Sequence, residues 1–103
     1  AFPCATQNEV NEHDAQNMVN NGVKLLAEGA NMPTTPAAIE VLHANGIMYA
    51  PGKASNAGGV ATSGLEMSQN FMGMSWTAEE VDRRLQEIMK GIHTKCLHAA
   101  EQY

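Results

Sequence analysis

Basic residues are scarce in this chain, and they form no run. Six Lys and Arg stand against eleven Asp and Glu, which gives a net charge of −5 with the histidines neutral. A protein that follows a nucleic-acid backbone needs a basic stripe or patch, so the composition argues against a nucleic-acid partner. A small anionic cofactor is compatible with this charge, because backbone amides at helix N-termini bind phosphate without basic side chains.

Cysteines and long apolar runs are also lacking. The two cysteines, Cys4 and Cys96, fit no zinc-ligand spacing and no disulfide framework. We interpret them as buried or spectator thiols in a reducing cytoplasm. No apolar stretch approaches the roughly 18 residues of a membrane-spanning helix, so we expect no membrane partner.

Familiar patterns of catalysis and metal binding are missing too. The sequence has no G-x-G-x-x-G, no P-loop spacing around Lys53, and no set of Ser, His and acid that stands out as a hydrolase site. The four histidines are scattered, and even His93 and His98 are poorly spaced for one helix face. We therefore predict no metal site.

The residues that are present predict an α/β fold. The chain has 103 residues, of which 44% are apolar and 17% charged, a composition typical of globular proteins. Periodicity and turn residues predict the order β-α-β-α-β-α-α. The predicted strands are residues 2–4, 23–27 and 47–50, and the predicted helices are 10–19, 35–45, 56–71 and a last one from 77 onward. Short connections between alternating strands and helices imply parallel strands, so we predict a partial Rossmann-like, doubly wound sheet followed by two helices.

Two of the predicted helices carry clear start signals. Thr35 before Pro36 is a hydroxyl N-cap with proline at the first helical position. Thr77 and Glu80 form a T-x-x-E capping box. The apolar stripe that follows, which we interpret as core or interface packing, consists of Val81, Leu85, Ile88, Met89, Ile92 and Cys96.

Small and polar segments follow each of the three predicted strands. They are residues 4–7, 29–32 and 52–56. The carboxyl ends of parallel strands meet at one edge of a sheet, and ligands of open parallel sheets bind beyond that edge. We therefore expect these three segments to form a binding site together.

Glycines and a possible substrate-binding pair follow the third segment. Glycines within a helix each cost roughly 1 kcal/mol relative to alanine, so Gly58 and Gly59 favour the close approach of a ligand, whereas Gly64 fits tight helix packing equally well. Val60 and Ser63 share one helix face because they are three residues apart. An apolar side chain beside a hydroxyl suits a small amphipathic substrate that carries a carboxylate.

Four long motifs carry a resemblance to a known family. They are FPCATQNE at 2–9, AEGANMPTT at 27–35, APGKA at 50–54 and NAGGVATSGLEMSQN at 56–70. In this order they resemble the motifs of glutamate dehydrogenases, most closely the small-subunit, hexameric and usually NADP-dependent class. The resemblance runs nearly from end to end, which makes it far more specific than one short motif.

The resemblance implies an activity and a set of site residues. Glutamate dehydrogenases interconvert glutamate and 2-oxoglutarate plus ammonium, with hydride transfer to or from NADP or NAD. By resemblance, the cofactor-binding residues are Ala5, Thr6, Gln7, Asn31 and Asn56. Val60 is expected to line the substrate pocket and Ser63 to bind the side-chain carboxylate of the substrate. The implied assembly is a homohexamer in the cytoplasm.

The resemblance also implies what these residues do not include. Nothing in the chain matches the family's catalytic lysine and aspartate or its Gly-rich dinucleotide turn. We therefore expect no catalytic residue here, and we interpret residues 1–103 as the C-terminal part of a nicotinamide-cofactor-binding domain, cut from a longer chain and inactive alone. Apolar surface left open by missing strands would then favour self-association.

Two alternatives stay open on the residues alone. A stand-alone Rossmann-like interaction module predicts a self-sufficient core, and the small number of strands argues against it. A related amino-acid dehydrogenase with an apolar substrate would make no use of the Ser63 hydroxyl.

Overall fold

A computed structural model describes all of residues 1–103. It contains two strands and five helices. In chain order these elements are α1 (Glu12–Asn20), β1 (Leu25–Ala27), α2 (Pro36–Ala44), β2 (Met48–Ala50), α3 (Gly52–Ser55), α4 (Ala57–Met72) and α5 (Ala78–Gln102). The chain divides into two units, Ala1–Asn56 and Ala57–Tyr103. None of the helices is long and apolar enough to cross a membrane.

The first unit is built on a short parallel sheet. Strand β1 pairs with β2 in parallel, with Leu26 opposite Tyr49, and α2 forms the connection between them. The predicted parallel pairing is confirmed for these two strands, although each is shorter than predicted. The core of the unit consists of Val10, Ala15, Leu26, Ala38, Leu42 and Ile47.

The first of the three predicted strands is not a strand in the structure, so the full β-α-β-α-β arrangement is not observed. Residues 1–3 nevertheless run beside β1, because the Ala27 and Gly29 amides donate to the carbonyls of Ala1 and Pro3. Pro3 has no amide hydrogen to donate in return. The segment therefore follows the edge of β1 without completing a ladder.

The helix ends of the first unit follow local sequence. Asn11 and Asp14 form a complete capping box at the start of α1, with both side chain to backbone bonds at 3.0 Å. The Thr35 hydroxyl caps α2 by accepting from the Ala38 amide, as predicted. Gly22 and Gly46 follow the first two helices with φ of +74° and +70°, a backbone conformation that glycine adopts without strain.

The second unit consists of α4 and α5, which contact each other. The predicted capping box at α5 is only half formed, because Thr77 accepts from the Glu80 amide but the Glu80 carboxylate pairs with Arg83 and Arg84 instead. Hydrogen bonds from Arg83 hold the pKa of Glu80 below its usual range. No residue of either helix is fully buried, so the predicted α5 stripe is only partly covered within this chain.

Candidate functional site

The segments that follow β1 and β2 meet at the carboxyl edge of the sheet, as the parallel topology predicts. The Glu28 carboxylate accepts a hydrogen bond of 2.6 Å from the Gly52 amide. The backbones also approach closely, since a Cβ on Gly52 would lie 2.7 Å from the Ala30 carbonyl oxygen. Only a glycine permits this spacing, so two of the three predicted segments form one surface.

The residues that follow the first segment join the same edge through backbone contacts. The amides of Asn8 and Val10 donate to the carbonyls of Met32 and Pro33 at 3.0 and 2.9 Å. Asn8 has a φ of +57° and Met32 a φ of +53°, a conformation that asparagine tolerates better than methionine. The chain therefore turns sharply on both sides of this contact.

Glu28 is the buried polar centre of this edge, with 3% of its surface exposed. One carboxylate oxygen accepts from the Tyr49 hydroxyl at 2.8 Å and from the Thr34 amide at 3.3 Å, and the other accepts from Gly52. A buried carboxylate is tolerated only where hydrogen bonds replace water. The three donors, drawn from the loop before α2 and from the stretch that runs from β2 into α3, meet that requirement.

The pKa of Tyr49 is shifted by its place at this edge. Burial raises the pKa of Tyr49 to about 12 from its ordinary value of 10.0, and the hydrogen bond and negative charge of Glu28 act in the same direction. Both effects disfavour a second negative charge next to the carboxylate. The phenol therefore remains a hydrogen-bond donor throughout the neutral range.

We expect this shift to make stability depend on alkaline pH. The folded chain retains the Tyr49 proton more tightly than the unfolded chain, so the stabilisation is complete below pH 10 and is lost as the pH rises through about 12. Urea unfolding across this range should show a smaller alkaline loss for Tyr49→Phe than for the unsubstituted chain. Tyr103→Phe is the matched control, since Tyr103 is fully exposed. An equal alkaline loss in both variants would contradict the assignment.

A cleft of about 240 Å³ opens at this edge. Its walls come from the second and third segments, from Asn8 just after the first segment and from the start of α2, and they include Asn31, Thr34, Tyr49 and Lys53. Ligand sites combine apolar walls with a few convergent polar groups, which this cleft offers. A larger hollow, about 670 Å³, is lined by α5 alone and therefore has no opposing wall.

The predicted cofactor residues lie along the first unit. Ala5, Thr6 and Gln7 are exposed on the first segment, which is held in part by a 3.1 Å bond from the Ala5 amide to Glu9. Asn31 is exposed and lines the cleft. Asn56 is half-buried and forms the C-terminal cap of α3.

The predicted substrate residues lie in the second unit, on α4. Val60 is 79% exposed and Ser63 is also exposed. Thr62 and Ser68 on the same helix donate to the backbone carbonyls of Gly58 and Gly64. The exposed Ser63 hydroxyl makes no such bond within the chain.

Sequence reasoning missed Glu28 and Tyr49. One signal was available for Glu28, which directly follows the buried Leu26 and the half-buried Ala27 and is a charged residue at the end of a core strand. No periodicity could have paired it with Tyr49 or Gly52, which lie more than 20 residues further along the chain. The structure contains no group of three His, Cys, Asp or Glu side chains arranged to hold a metal ion. Cys4 and Cys96 are free and exposed rather than buried.

Comparison with known proteins agrees with the motifs. The NADP-specific glutamate dehydrogenase of Giardia intestinalis is 59% identical over 102 residues, which are 99% of this chain and 23% of that protein. The NAD-specific glutamate dehydrogenase of Bacteroides fragilis is 59% identical over 97 residues, or 94% of this chain and 22% of the relative. The chain thus spans about a fifth of the length of these relatives.

The fold agrees as well. The crystal structure of Plasmodium falciparum glutamate dehydrogenase superimposes with a TM-score of 0.92 and 54% identity, over 100% of this chain and 22% of that one. The family described as Glutamate/Leucine/Phenylalanine/Valine dehydrogenase matches residues 1–103. The resemblance drawn from the four motifs is therefore confirmed, and the chain belongs to the Glutamate/Leucine/Phenylalanine/Valine dehydrogenase family.

Proposed function

We propose that this chain is part of a glutamate dehydrogenase, which reversibly converts glutamate to 2-oxoglutarate and ammonium with hydride transfer to NADP or NAD. The observation that carries the proposal is the 59% identity to glutamate dehydrogenases over nearly the whole chain. In this proposal, residues 1–103 form the C-terminal part of the nicotinamide-cofactor-binding domain.

The first unit supplies the cofactor side of the site. Ala5, Thr6, Gln7, Asn31 and Asn56 contact the cofactor, and the exposure of the first four leaves them accessible. Amide and hydroxyl groups suit the ribose and carboxamide groups of a nicotinamide, because these groups both donate and accept hydrogen bonds. When bound, the cofactor accepts or donates the hydride.

We propose NADP as the cofactor of this chain, with NAD as the alternative. Relatives named for either cofactor match these residues at the same identity. In dinucleotide-binding folds the choice depends on an acidic or basic residue near the ribose 2′ position, about 20 residues after the Gly-rich turn. That turn has no counterpart in this chain, so these residues hold the nicotinamide end rather than the end that distinguishes the two cofactors.

The second unit supplies one side of the substrate pocket. The Ser63 hydroxyl donates to the side-chain carboxylate of glutamate, and Val60 contacts the methylene groups of the substrate. The family also includes dehydrogenases of leucine, phenylalanine and valine. A free hydroxyl beside an apolar side chain favours the acidic substrate, since a buried hydroxyl left unpaired against an apolar substrate costs free energy.

Proton transfer and orientation of the α-carbon require groups that these residues do not include. The titratable side chains of the cleft are Glu28, Tyr49 and Lys53, and the first two are engaged with each other. The complete enzyme is proposed to be a cytoplasmic homohexamer that brings a separate substrate domain against this surface.

The test is a hybrid enzyme together with the isolated chain. In the hybrid, residues 1–103 replace the matching segment of the Giardia intestinalis relative, which is already 59% identical. We expect the hybrid to aminate 2-oxoglutarate with NADPH, and we expect the purified 103-residue chain to give no turnover with NADPH or NADH. A folded hybrid without activity would contradict the proposed function, and turnover by the isolated chain would contradict the assignment of catalysis to other groups.

A further inference from the structure

Glu28 contacts α3 at both of its ends. Its side-chain carboxylate accepts from the amide of Gly52, the first residue of the helix, at 2.6 Å. Its main-chain carbonyl accepts from the hydroxyl of Ser55, the last residue of the helix, at 2.6 Å. Asn56, the predicted cofactor residue, follows directly and caps the same helix. Glu28 therefore contacts α3 at its beginning and at its end, where the Ser55 hydroxyl also lies 3.2 and 3.1 Å from the carbonyl oxygens of Ala50 and Pro51.

Helix α3 has little else to hold it in place. It is four residues long, and Pro51 at its N-cap supplies no side-chain hydrogen bond. A helix of one turn is unstable by itself, because nucleation fixes several residues for one hydrogen bond. The position of Asn56 therefore depends on contacts from outside the helix, and Glu28 makes contacts of this kind at each end.

Glu28 also borders the loop that carries Asn31. The Thr34 amide on the far side of that loop donates to the same carboxylate, and the Ala30 carbonyl lies against Gly52. One buried side chain thus connects the loop bearing Asn31 to the helix that Asn56 caps. None of the ion pairs in the chain involves Glu28. Its carboxylate therefore binds neutral donors and holds them in position.

We propose that Glu28 is a positioning residue that sets Asn56 relative to Asn31 for binding of the nicotinamide cofactor. The proposal rests on the function proposed above. Glu28 is buried and its carboxylate is occupied by three donors, so it acts through these two asparagines without contacting the cofactor. Small displacements of binding groups lower affinity and rate, because both depend on groups that are preorganised at the correct distance from the ligand.

Four forms of the hybrid enzyme test this role. Glu28→Ala removes the carboxylate and leaves Gly52, Thr34 and Tyr49 without their acceptor. Glu28→Gln keeps the shape, and its amide oxygen can accept from Gly52 while its NH₂ donates to the Tyr49 oxygen, so only the Thr34 bond is lost. Glu40→Gln is the matched control, since Glu40 is exposed on α2 and makes no hydrogen bond. The unsubstituted hybrid is the reference.

Steady-state kinetics and hydrogen–deuterium exchange are the two readouts. We expect Glu28→Ala to raise the KM for NADPH about tenfold or more, as loss of a charge-assisted hydrogen bond would. We expect Glu28→Gln to lie between Glu28→Ala and the reference, and Glu40→Gln to match the reference. Exchange should rise in the peptide spanning 51–56 of Glu28→Ala and stay unchanged in α5.

Each outcome decides a separate point. A KM for NADPH in Glu28→Ala that is within twofold of the reference would overturn the positioning role. A loss of activity explained entirely by a smaller amount of folded enzyme would also overturn it, because a merely structural role predicts that result. An inactive reference with normal folding would refute the proposed function instead. In that case the exchange at 51–56 still shows whether Glu28 holds α3, and unchanged exchange there would overturn this inference on its own.

Discussion

Replacing Ser63 by alanine in the hybrid enzyme is expected to raise the KM for glutamate about ten- to a hundredfold, because a hydrogen bond to a charged group contributes roughly 1.5–3 kcal/mol. The Ser63 hydroxyl is exposed on α4 and has no internal partner, so the fold loses nothing when it is removed. The KM for NADP should stay within about twofold of the unsubstituted hybrid, because the lost hydrogen bond is to glutamate and not to the cofactor. Initial rates with glutamate and NADP varied in turn separate the two effects.

Ser68→Ala provides the matched control on the same helix. The Ser68 hydroxyl already donates to the Gly64 carbonyl at 2.9 Å, so its removal should leave both KM values unchanged. A KM for glutamate that is unchanged in Ser63→Ala would remove Ser63 from the substrate pocket. If Ser63→Ala instead raised the KM for NADP ten- to a hundredfold, Ser63 would belong to the cofactor-binding side.

Replacing Gly52 by alanine is expected to disrupt the carboxyl edge of the sheet. The added methyl group would lie 2.7 Å from the Ala30 carbonyl oxygen and 3.1 Å from the Glu28 carboxylate. The carbonyl belongs to the backbone and cannot rotate away, so the two segments must separate. We expect a loss of about 1–3 kcal/mol in the free energy of unfolding, together with weaker binding of NADPH.

Gly91→Ala is the matched control for this change. Gly91 lies within α5, and a Cβ added there meets nothing within 4 Å. Without a clash, alanine in a helix should stabilise the protein by roughly 0.5–1 kcal/mol relative to glycine. Urea unfolding of both variants gives the comparison, and equal stabilities would mean that the contact between Gly52 and Ala30 does not constrain the fold.

Local chemistry explains why much of the fold could be read from the sequence. The Thr35 cap, the proline after it and the glycines at the ends of α1 and α2 act within a few residues of their own positions. The failures also have local causes. Pro3 cannot complete a strand ladder, and Arg83 competes with the backbone for Glu80.

The family was readable for a different reason. Four long motifs specify chemistry residue by residue, and they identified the family without any knowledge of packing. Placement of the three segments at one edge needed only the parallel topology. Cys4 against Gly29 and Ala30 against Gly52 bring the three segments together, whereas only the second and third line the cleft. That the three bind a ligand together stays a prediction.

The sequence by itself therefore determined the family, the helix starts at Thr35 and Thr77 and the parallel direction of β1 and β2, because motifs, caps and strand direction are properties of short segments. That ligands bind at the carboxyl edge of the sheet stays a prediction. The tertiary structure alone decided that Glu28 is buried and that Tyr49, Thr34 and Gly52 converge on it. These partners are separated by 6 to 24 residues, and no local pattern marks them. A buried carboxylate finds its donors only after the chain has folded around it, since it must replace its lost water with whichever groups the fold brings near.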